Sequence, residues 1–284
     1  MLSVKPVVAK DWRVEVGATM GHYKNEVKSL PSDSYTTSVY GDNNILTAEG
    51  NPIAMFYGYE TNGVFANDAD ARKAGINGYL VMKDNAGNEH EFKAGDVHFI
   101  DQNNDGIIDE KDKTIIGNPN PDIYGNIFAS LNFKNLTLSL GFNYSLGNDV
   151  FNYQRMVLNS GSNFYNQQVA EVSRWRYEGQ QTSIPRAVFG DPMGNNRFSD
   201  RWIEDGSYLR LKTVNLTYRV PVPGSWTWLQ GLSIWVEAQN LFTLTKYLGN
   251  DPEFFNGSNV FYQGIDCGNL AQSRAFMMGL KINL

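Results

Sequence analysis

The sequence has little of the chemistry on which zinc-binding and disulfide-rich proteins depend. Its 284 residues include one cysteine, Cys267, and three histidines. A single cysteine forms no internal disulfide, and no cysteine and histidine cluster has zinc spacing. No apolar run reaches the roughly 18 residues that a transmembrane helix needs. This leaves a membrane β-barrel open, because its strands need only about 9–11 residues with every second one apolar.

Basic charge is also scarce. The chain carries 24 lysine and arginine residues against 30 aspartate and glutamate residues, a formal net charge of −6. An acidic chain without a basic stripe repels the phosphates of nucleic acids, so we expect no nucleic-acid partner.

Motifs for catalysis are missing from the sequence as well. There is no G-x-S-x-G nucleophile elbow, no P-loop and no dinucleotide-binding fingerprint. Carboxylates are frequent, yet no pair stands out as a general acid and base. The charges between Phe198 and Arg210 have the pattern of solvated loop charges. We therefore expect no catalytic residue, no organic cofactor and no enzymatic activity.

Strict alternation of apolar and small polar residues is the main structural signal. Between Asn135 and Leu146, leucine and aromatic residues occupy every second position, and Thr137, Ser139 and Asn143 lie on the other face. A period of two over about eleven residues fits a strand that crosses a bilayer. The same period recurs in residues 126–133, 276–284, 12–21, 232–239 and 208–219, with a slip near Thr213 that predicts a bulge, and in a shorter candidate, 53–59.

Connections between these strands alternate between short and long. Only Lys134 and Asn135 separate two of the strands, and residues 220–231 form another short link. Long stretches of about 60–122, 147–207 and 245–272 separate the others. Tight turns at one end and large excursions at the other are typical of outer-membrane barrels. The sequence predicts an all-β fold of antiparallel transmembrane strands with three extracellular loops.

One loop has the spacing of a calcium site. Residues 101–112 match the pattern D-x-[DN]-x-[DN]-G-x5-[DE], with Gly106 at the sharp turn. Calcium prefers six to eight oxygen ligands. The predicted ligands are Asp101, Asn103, Asp105, the carbonyl of Ile107, Asp109 and Asp112. Asp112 replaces the usual glutamate and has a shorter reach. An Asx-turn-rich loop without an ion is the alternative.

A different class of protein also accounts for the alternation. A secreted, calcium-stabilised β-sandwich that binds carbohydrate has alternating strands and long loops too. It differs in burying its apolar faces between two sheets. The turn containing Trp226 and Trp228 fits either a sugar-stacking platform or a membrane-interface belt, and we favour the belt.

Several blocks of residues resemble the SusC/RagA family of TonB-linked outer-membrane proteins of Bacteroidota. They occur in the family's order along nearly the whole chain. The blocks are Gly95 to Val97 with Asp101 to Pro121, Arg174-Trp175 followed by Ile184 to Ala187, Asp205 to Tyr218, and Ala238 to Tyr247 followed by Asp251-Pro252-Glu253.

The resemblance implies a large plugged barrel of about 22 strands. It also implies import powered by TonB, a SusD-like lipoprotein over the extracellular mouth, and oligosaccharides or peptides as substrates. Asn126, Asn143, Glu237 and Gln239 would line the lumen, and the outer face would contact lipid of the Gram-negative outer membrane.

The departures from the family concern what the chain lacks. Neither a signal-peptide pattern, a TonB box, a plug nor an N-terminal carboxypeptidase-like domain is recognisable in residues 1–284. The final position is Leu284, where such barrels often end in an aromatic residue. We therefore expect the chain to be an incomplete barrel, its C-terminal part, with about seven strands.

Overall fold

A computed structural model describes residues 2–8, 11–40, 42–76, 78–83, 87–226 and 228–284. Its strands, in chain order, are β1 (Leu2–Val8), β2 (Trp12–Gly21), β3 (Ser34–Val39), β4 (Asp42–Ala48), β5 (Met55–Tyr59), β6 (Thr61–Val64), β7 (Val81–Lys83), β8 (Glu89–Glu91), β9 (Val97–Phe99), β10 (Lys113–Gly117), β11 (Ile123–Phe133), β12 (Leu136–Leu146), β13 (Asp149–Asn152), β14 (Ile203–Asp205), β15 (Tyr208–Val220), β16 (Gly231–Thr245), β17 (Ile265–Asp266) and β18 (Ala275–Asn283).

Helices are few and short. Two α-helices are described, α1 (Asp68–Ala74) and α2 (Tyr153–Leu158), with single 3₁₀ turns at Glu110–Asp112, Val169–Ser173, Asp200–Trp202 and Val260–Tyr262. Within the described ranges, no helix has the length and apolar character needed to cross a membrane.

The largest sheet has seven antiparallel strands in the order β1-β2-β11-β12-β15-β16-β18. Six of them are the long strands predicted from the alternation. The seventh, β1, was not predicted. The shorter candidate at 53–59 is a strand, β5, but it pairs with β4 and β10 in a separate four-stranded sheet.

The predicted bulge is present in β15. Gly141 faces Thr213 whereas Phe142 faces Leu211, which leaves Lys212 as the extra residue. In β16 the backbone of Asn240 has a positive φ of 53° at the same level. Bulges of this kind bend a strand and redirect side chains. Here the bulge turns Lys212 toward the polar face, where it reaches Glu253.

All long excursions leave the seven-stranded sheet from one end. We name them the first (residues 22–122), second (147–207) and third (246–274) excursions. Residue pairs Gly21 with Tyr124, Ser145 with Tyr208, and Tyr208 with Thr245 lie at that end. Among the described residues, no long connection leaves the opposite end, where residues 134–135 join β11 to β12 and residues 221–230 join β15 to β16. The three long connections thus leave the sheet from the same end, and the first begins at residue 22, well before residue 60.

The three excursions share a hydrophobic core. One cluster combines Phe56 of the first excursion, Phe151 and Trp202 of the second, and Ile265 of the third, each at most 1% exposed. A second cluster packs Met193 of the second excursion among residues of the first. The excursions thus form one folded layer, which we call the cap, at one end of the sheet.

Candidate functional site

One face of the seven-stranded sheet is apolar and uncovered. Cross-strand register aligns Leu131, Leu138, Leu216, Val236 and Met278 in one row. Three of these side chains are exposed, Leu216 at 37%, Val236 at 47% and Met278 at 83%. Exposed apolar surface of this extent is unfavourable in water but suits lipid.

This exposure decides against the β-sandwich alternative. A sandwich would bury these residues between two sheets. Instead, Phe276 is 75% and Leu280 is 66% exposed at the end strand β18. Within the described residues, the apolar face therefore does not form a closed two-layer interior.

The opposite face carries polar side chains in register. Glu15, Ser130, Ser139, Asn215 and Glu237 follow one another across five strands. Asn215 Nδ2 donates to Glu237 Oε2 at 3.0 Å, and Gln239 Nε2 donates to Glu237 Oε1 at 2.7 Å. Asn126 and Asn143, predicted to face a lumen, pair with each other on the same face. This face suits a wet interior.

Near the cap, a charged cluster joins the polar face to the third excursion. Arg210 is 2% exposed and donates to the carboxylate of Asp251, and its Nη1 lies 3.2 Å from Glu253. Lys212 Nζ lies 3.3 Å from Glu253 Oε2 and donates to Gln272 Oε1 at 2.5 Å. The expectation that the charges up to Arg210 are solvated is wrong for this residue, because the third excursion folds back and buries it.

A second buried charge in that segment is Glu204. Its side chain is 8% exposed and accepts from Arg155 Nη1 at 2.5 Å. The guanidinium of Arg155 in turn lies 5.4 Å from the centroid of the Trp202 ring. Pairing with Arg155 compensates for the desolvation of Glu204 inside the cap.

In the predicted calcium loop, side chains accept hydrogen bonds from backbone amides of the same loop and so hold its turns. Asp101 accepts the amides of Asp105 at 3.2 Å and Gly106 at 2.7 Å. Asn103 accepts the amide of Asp105 at 2.9 Å, and Asp105 accepts the amide of Ile107 at 2.9 Å. Gly106 has φ +82°, as the sharp turn requires. The hydrogen bond to Ile107 also holds the pKa of Asp105 below its usual range.

Asp112 closes this loop from a buried position. It is 0% exposed, and its two oxygens accept the amides of Gln102 at 2.9 Å and Asp109 at 2.8 Å. Burial raises the pKa of Asp112 despite these hydrogen bonds. Asp109 accepts the amide of Lys111 at 2.8 Å and so caps the short 3₁₀ turn.

These turns occur both in an Asx-turn loop without an ion and in a calcium-binding loop, so they do not distinguish the two interpretations. In the described part of the chain, no three His, Cys, Asp or Glu side chains are grouped as a metal site. Lys111 Nζ lies 3.9 Å from Asp105 and 3.7 Å from Asp109. The side-chain oxygens nevertheless have the hard-donor chemistry that calcium prefers. Calcium binding therefore stays a prediction.

The two tryptophans of the turn before β16 lie at the short-link end of the sheet. Trp226 and Trp228 are 48% and 62% exposed, and their rings stack with centroids 6.1 Å apart. Thr227 between them lies outside the described residues. Exposed indole rings at the edge of an apolar band are typical of a membrane interface.

The sequence is similar to those of several TonB-dependent receptors. No family model matches the sequence. The chain is 29% identical over 294 residues to TonB-dependent receptor P3 of Formosa agariphila, covering 99% of this chain and 28% of that protein. It is 26% identical over 296 residues to TonB-dependent receptor SusC of Bacteroides thetaiotaomicron, covering 99% and 25%.

Solved structures show the same fold. The structure of the RagAB peptide transporter matches with a TM-score of 0.73 at 22% identity, covering 99% of this chain and 28% of that one. The RagAB peptide importer in its "open-open" state matches with a TM-score of 0.73 at 21% identity. The fold class is thus all-β, with antiparallel strands arranged as in these TonB-dependent transporter structures.

The same matches bear on the resemblance found in the sequence. The resemblance to the SusC/RagA family of TonB-linked outer-membrane proteins is confirmed. The relatives are receptors and transporters rather than enzymes, in agreement with the sequence-based expectation. The chain spans about a quarter of the length of these curated relatives.

Proposed function

We propose that this chain forms the C-terminal sector of the barrel of a TonB-dependent outer-membrane importer, with its apolar face against lipid and its polar face toward the lumen. The observation that carries the proposal is the two-faced sheet with every excursion at one end. Within the described residues, β1 and β18 each pair on one side only. Because lipid does not satisfy an open strand edge, the sheet needs further strands to close a barrel.

The cap lies on the extracellular side in this proposal, and the short links lie in the periplasm. The importer acts with a SusD-like lipoprotein over its mouth and draws energy from TonB through a plug. Substrates are oligosaccharides or peptides. The likeness to receptors named SusC and to the RagAB peptide transporter supports these assignments.

Site-directed spin labelling of the whole receptor tests the orientation of the faces. Single cysteines replace the neighbours Leu216 and Thr217, with Cys267 changed to alanine. Leu216 lies on the apolar face and Thr217 on the polar face, because side chains alternate along β15. In membranes, the label at 216 should collide mainly with oxygen, and the label at 217 with a water-soluble nickel complex. Equal accessibility at both positions contradicts the barrel.

An impermeant maleimide tests which end is outside. Phe164 of the second excursion is 91% exposed, and Trp228 at the opposite end is 62% exposed. With Cys267 changed to alanine, Phe164→Cys should react on intact cells, whereas Trp228→Cys should react only after the outer membrane is permeabilised. The reverse pattern overturns the assignment of the cap to the outside.

We also propose that the loop of residues 101–112 binds calcium and stiffens the first excursion. The oxygen spacing and the glycine turn support this. An extracellular-type site with Kd of about 10⁻⁴–10⁻³ M would stabilise the fold by about 1.4–2.7 kcal/mol at 10 mM calcium.

Calorimetry of the whole receptor with calcium and with chelator measures that stabilisation. Asp101→Asn should abolish the calcium-dependent rise in Tm. Asp70→Asn, on the exposed helix α1 outside the loop, is the matched control and should retain it. A wild-type Tm that is insensitive to calcium refutes the site.

A further inference from the structure

A polar cavity lies where β16 meets the third excursion. Its volume is about 360 Å³. β18 pairs with β16 only as far as Gln239. Beyond that residue, β16 is flanked by the two ends of the third excursion. The polar side chains that line the cavity and matter here are Arg210, Asn240, Thr243, Asn250, Gln272 and Arg274.

The acidic residue in the cavity wall is already neutralised. Asp251 pairs with Arg210, and it also accepts the amides of Glu253 and Gln272, each at 2.9 Å. Hydrogen bonds thus occupy both of its oxygens. Its charge therefore opposes an incoming anion only weakly, and within the described residues Arg274 is the guanidinium of the lining whose charge no carboxylate offsets.

Two buried polar atoms and one cation of this lining lack partners. Arg210 Nε and Asn240 Oδ1 are buried without a hydrogen-bond partner in the described structure. The exposed side chain of Arg274 forms no ion pair within the described residues. Arg210 Nε is a buried donor without an acceptor, which is costly, so an acceptor supplied by a ligand would be favoured there. Asn240 Oδ1 is itself an acceptor and needs a donor instead.

We propose that this cavity binds a carboxylate of the imported ligand, held by the guanidinium of Arg274 at the mouth, with the unpaired Nε of Arg210 as a further donor in the wall. Guanidinium groups recognise planar carboxylates through paired, charge-assisted hydrogen bonds. Thr243 and Asn250 add neutral hydrogen-bonding groups to the lining. The volume is at the low end for ligand pockets and suits a terminal residue or one sugar ring, not a whole oligomer.

The carboxylate has two sources, the C-terminus of a peptide or a uronic acid of an oligosaccharide. The inference rests on the proposed import function and narrows its substrate class to ligands with a free acid group. Two pairs of fluorescent probes separate the sources. The first pair is tetra-alanine with a free C-terminus and its C-terminal amide, and the second is trigalacturonate and its methyl ester.

Binding is measured by anisotropy with the whole receptor in detergent. The wild type should bind the free acid of one pair more tightly than its neutral form. Arg274→Gln should weaken binding of that acid about tenfold, the loss of one charge-assisted contact, and should leave the neutral form unchanged. Arg219→Gln, at the far end of β15, is the matched control and should change neither. Arg274 is exposed, so its replacement leaves the buried Arg210 cluster intact.

Several outcomes overturn the proposal. Equal binding of acid and neutral probes by the wild type does so, as does failure to bind any of the four probes at 1 mM. Equal weakening of both members of a pair by Arg274→Gln does so too, because the substitution would then act through the shape of the third excursion. None of these outcomes alters the spin-label pattern at Leu216 and Thr217, so a failure here is distinguishable from failure of the importer assignment.

Discussion

An arginine at the centre of the apolar face should destabilise the barrel, whereas the same arginine one residue earlier should not. Strand β12 has 11 residues, Leu136–Leu146. At about 3.3 Å per residue and a tilt of about 40°, it spans about 25 Å along the membrane normal, the height of the apolar band of such barrels. Leu140 lies within about 3 Å of the middle of that span, flanked by Ala129 and Val214 on the same face.

An arginine in place of Leu140 has no acidic partner in that apolar row. Placing it near the bilayer midplane costs about 2–4 kcal/mol, or about 30- to 900-fold in the folding equilibrium. Ser139→Arg instead faces Ser130 and Asn215, with Glu237 one strand beyond. On that polar face the change should stay within about 0.5 kcal/mol.

Refolding of the whole receptor from urea into lipid vesicles, followed by tryptophan fluorescence, measures both costs. Leu140→Ala controls for the lost side chain without adding charge. The reasoning fails if Ser139→Arg destabilises as much as Leu140→Arg. It also fails if Leu140→Arg costs no more than Leu140→Ala.

Two further predictions concern the cap. Burial raises the pKa of Glu171, so the folded cap binds the proton of this carboxyl more tightly than the unfolded chain does. The cap therefore gains stability as the pH falls toward the usual carboxyl range. Glu171→Gln should raise the urea midpoint of unfolding at pH 7.5 more than at pH 5, and an equal change at both pH values contradicts this. Gly95 has φ +86°, and a Cβ there would lie 2.5 Å from Trp175 Cε3. Gly95→Ala should lower the Tm more than Gly63→Ala, where φ is +77° but nothing lies within 4 Å, and calorimetry of the two variants decides.

The seven-stranded sheet was largely predictable because its signal is local. Alternation of apolar and polar residues along a strand indicates that its two faces contact different media. This pattern can be recognised without knowing which distant residues pair with the strand. β1 was missed because Lys5 and Pro6 interrupt its pattern. The structure accommodates them at an irregularity in register between Val4 and Val7, the kind of position at which proline is tolerated in a strand.

The charged cluster and the cavity were not predictable in this way. Arg210 and Asp251 are separated by 41 positions, and neither lies in a motif with fixed spacing. Arg210 occupies a polar-face position of β15, which predicts contact with water. Its burial results from the return of the third excursion across that face, a long-range contact that no local pattern records. The sequence did mark the Asp251-Pro252-Glu253 block, but only through the family resemblance.

The shared core also explains why the excursions are poor candidates for independent flaps. Phe151 packs against Phe198 at 4.6 Å and against Phe56 at 6.4 Å between ring centroids, and Ile265 of the third excursion joins them. Exposing each of these side chains costs about 1.5–3 kcal/mol, so separating all four costs about 6–12 kcal/mol. That equals the whole stability of a typical domain. Movement of the excursions relative to the sheet therefore requires the cap to move as one body. The cavity between β16 and the third excursion stays intact only if the cap remains attached to the sheet through Arg210.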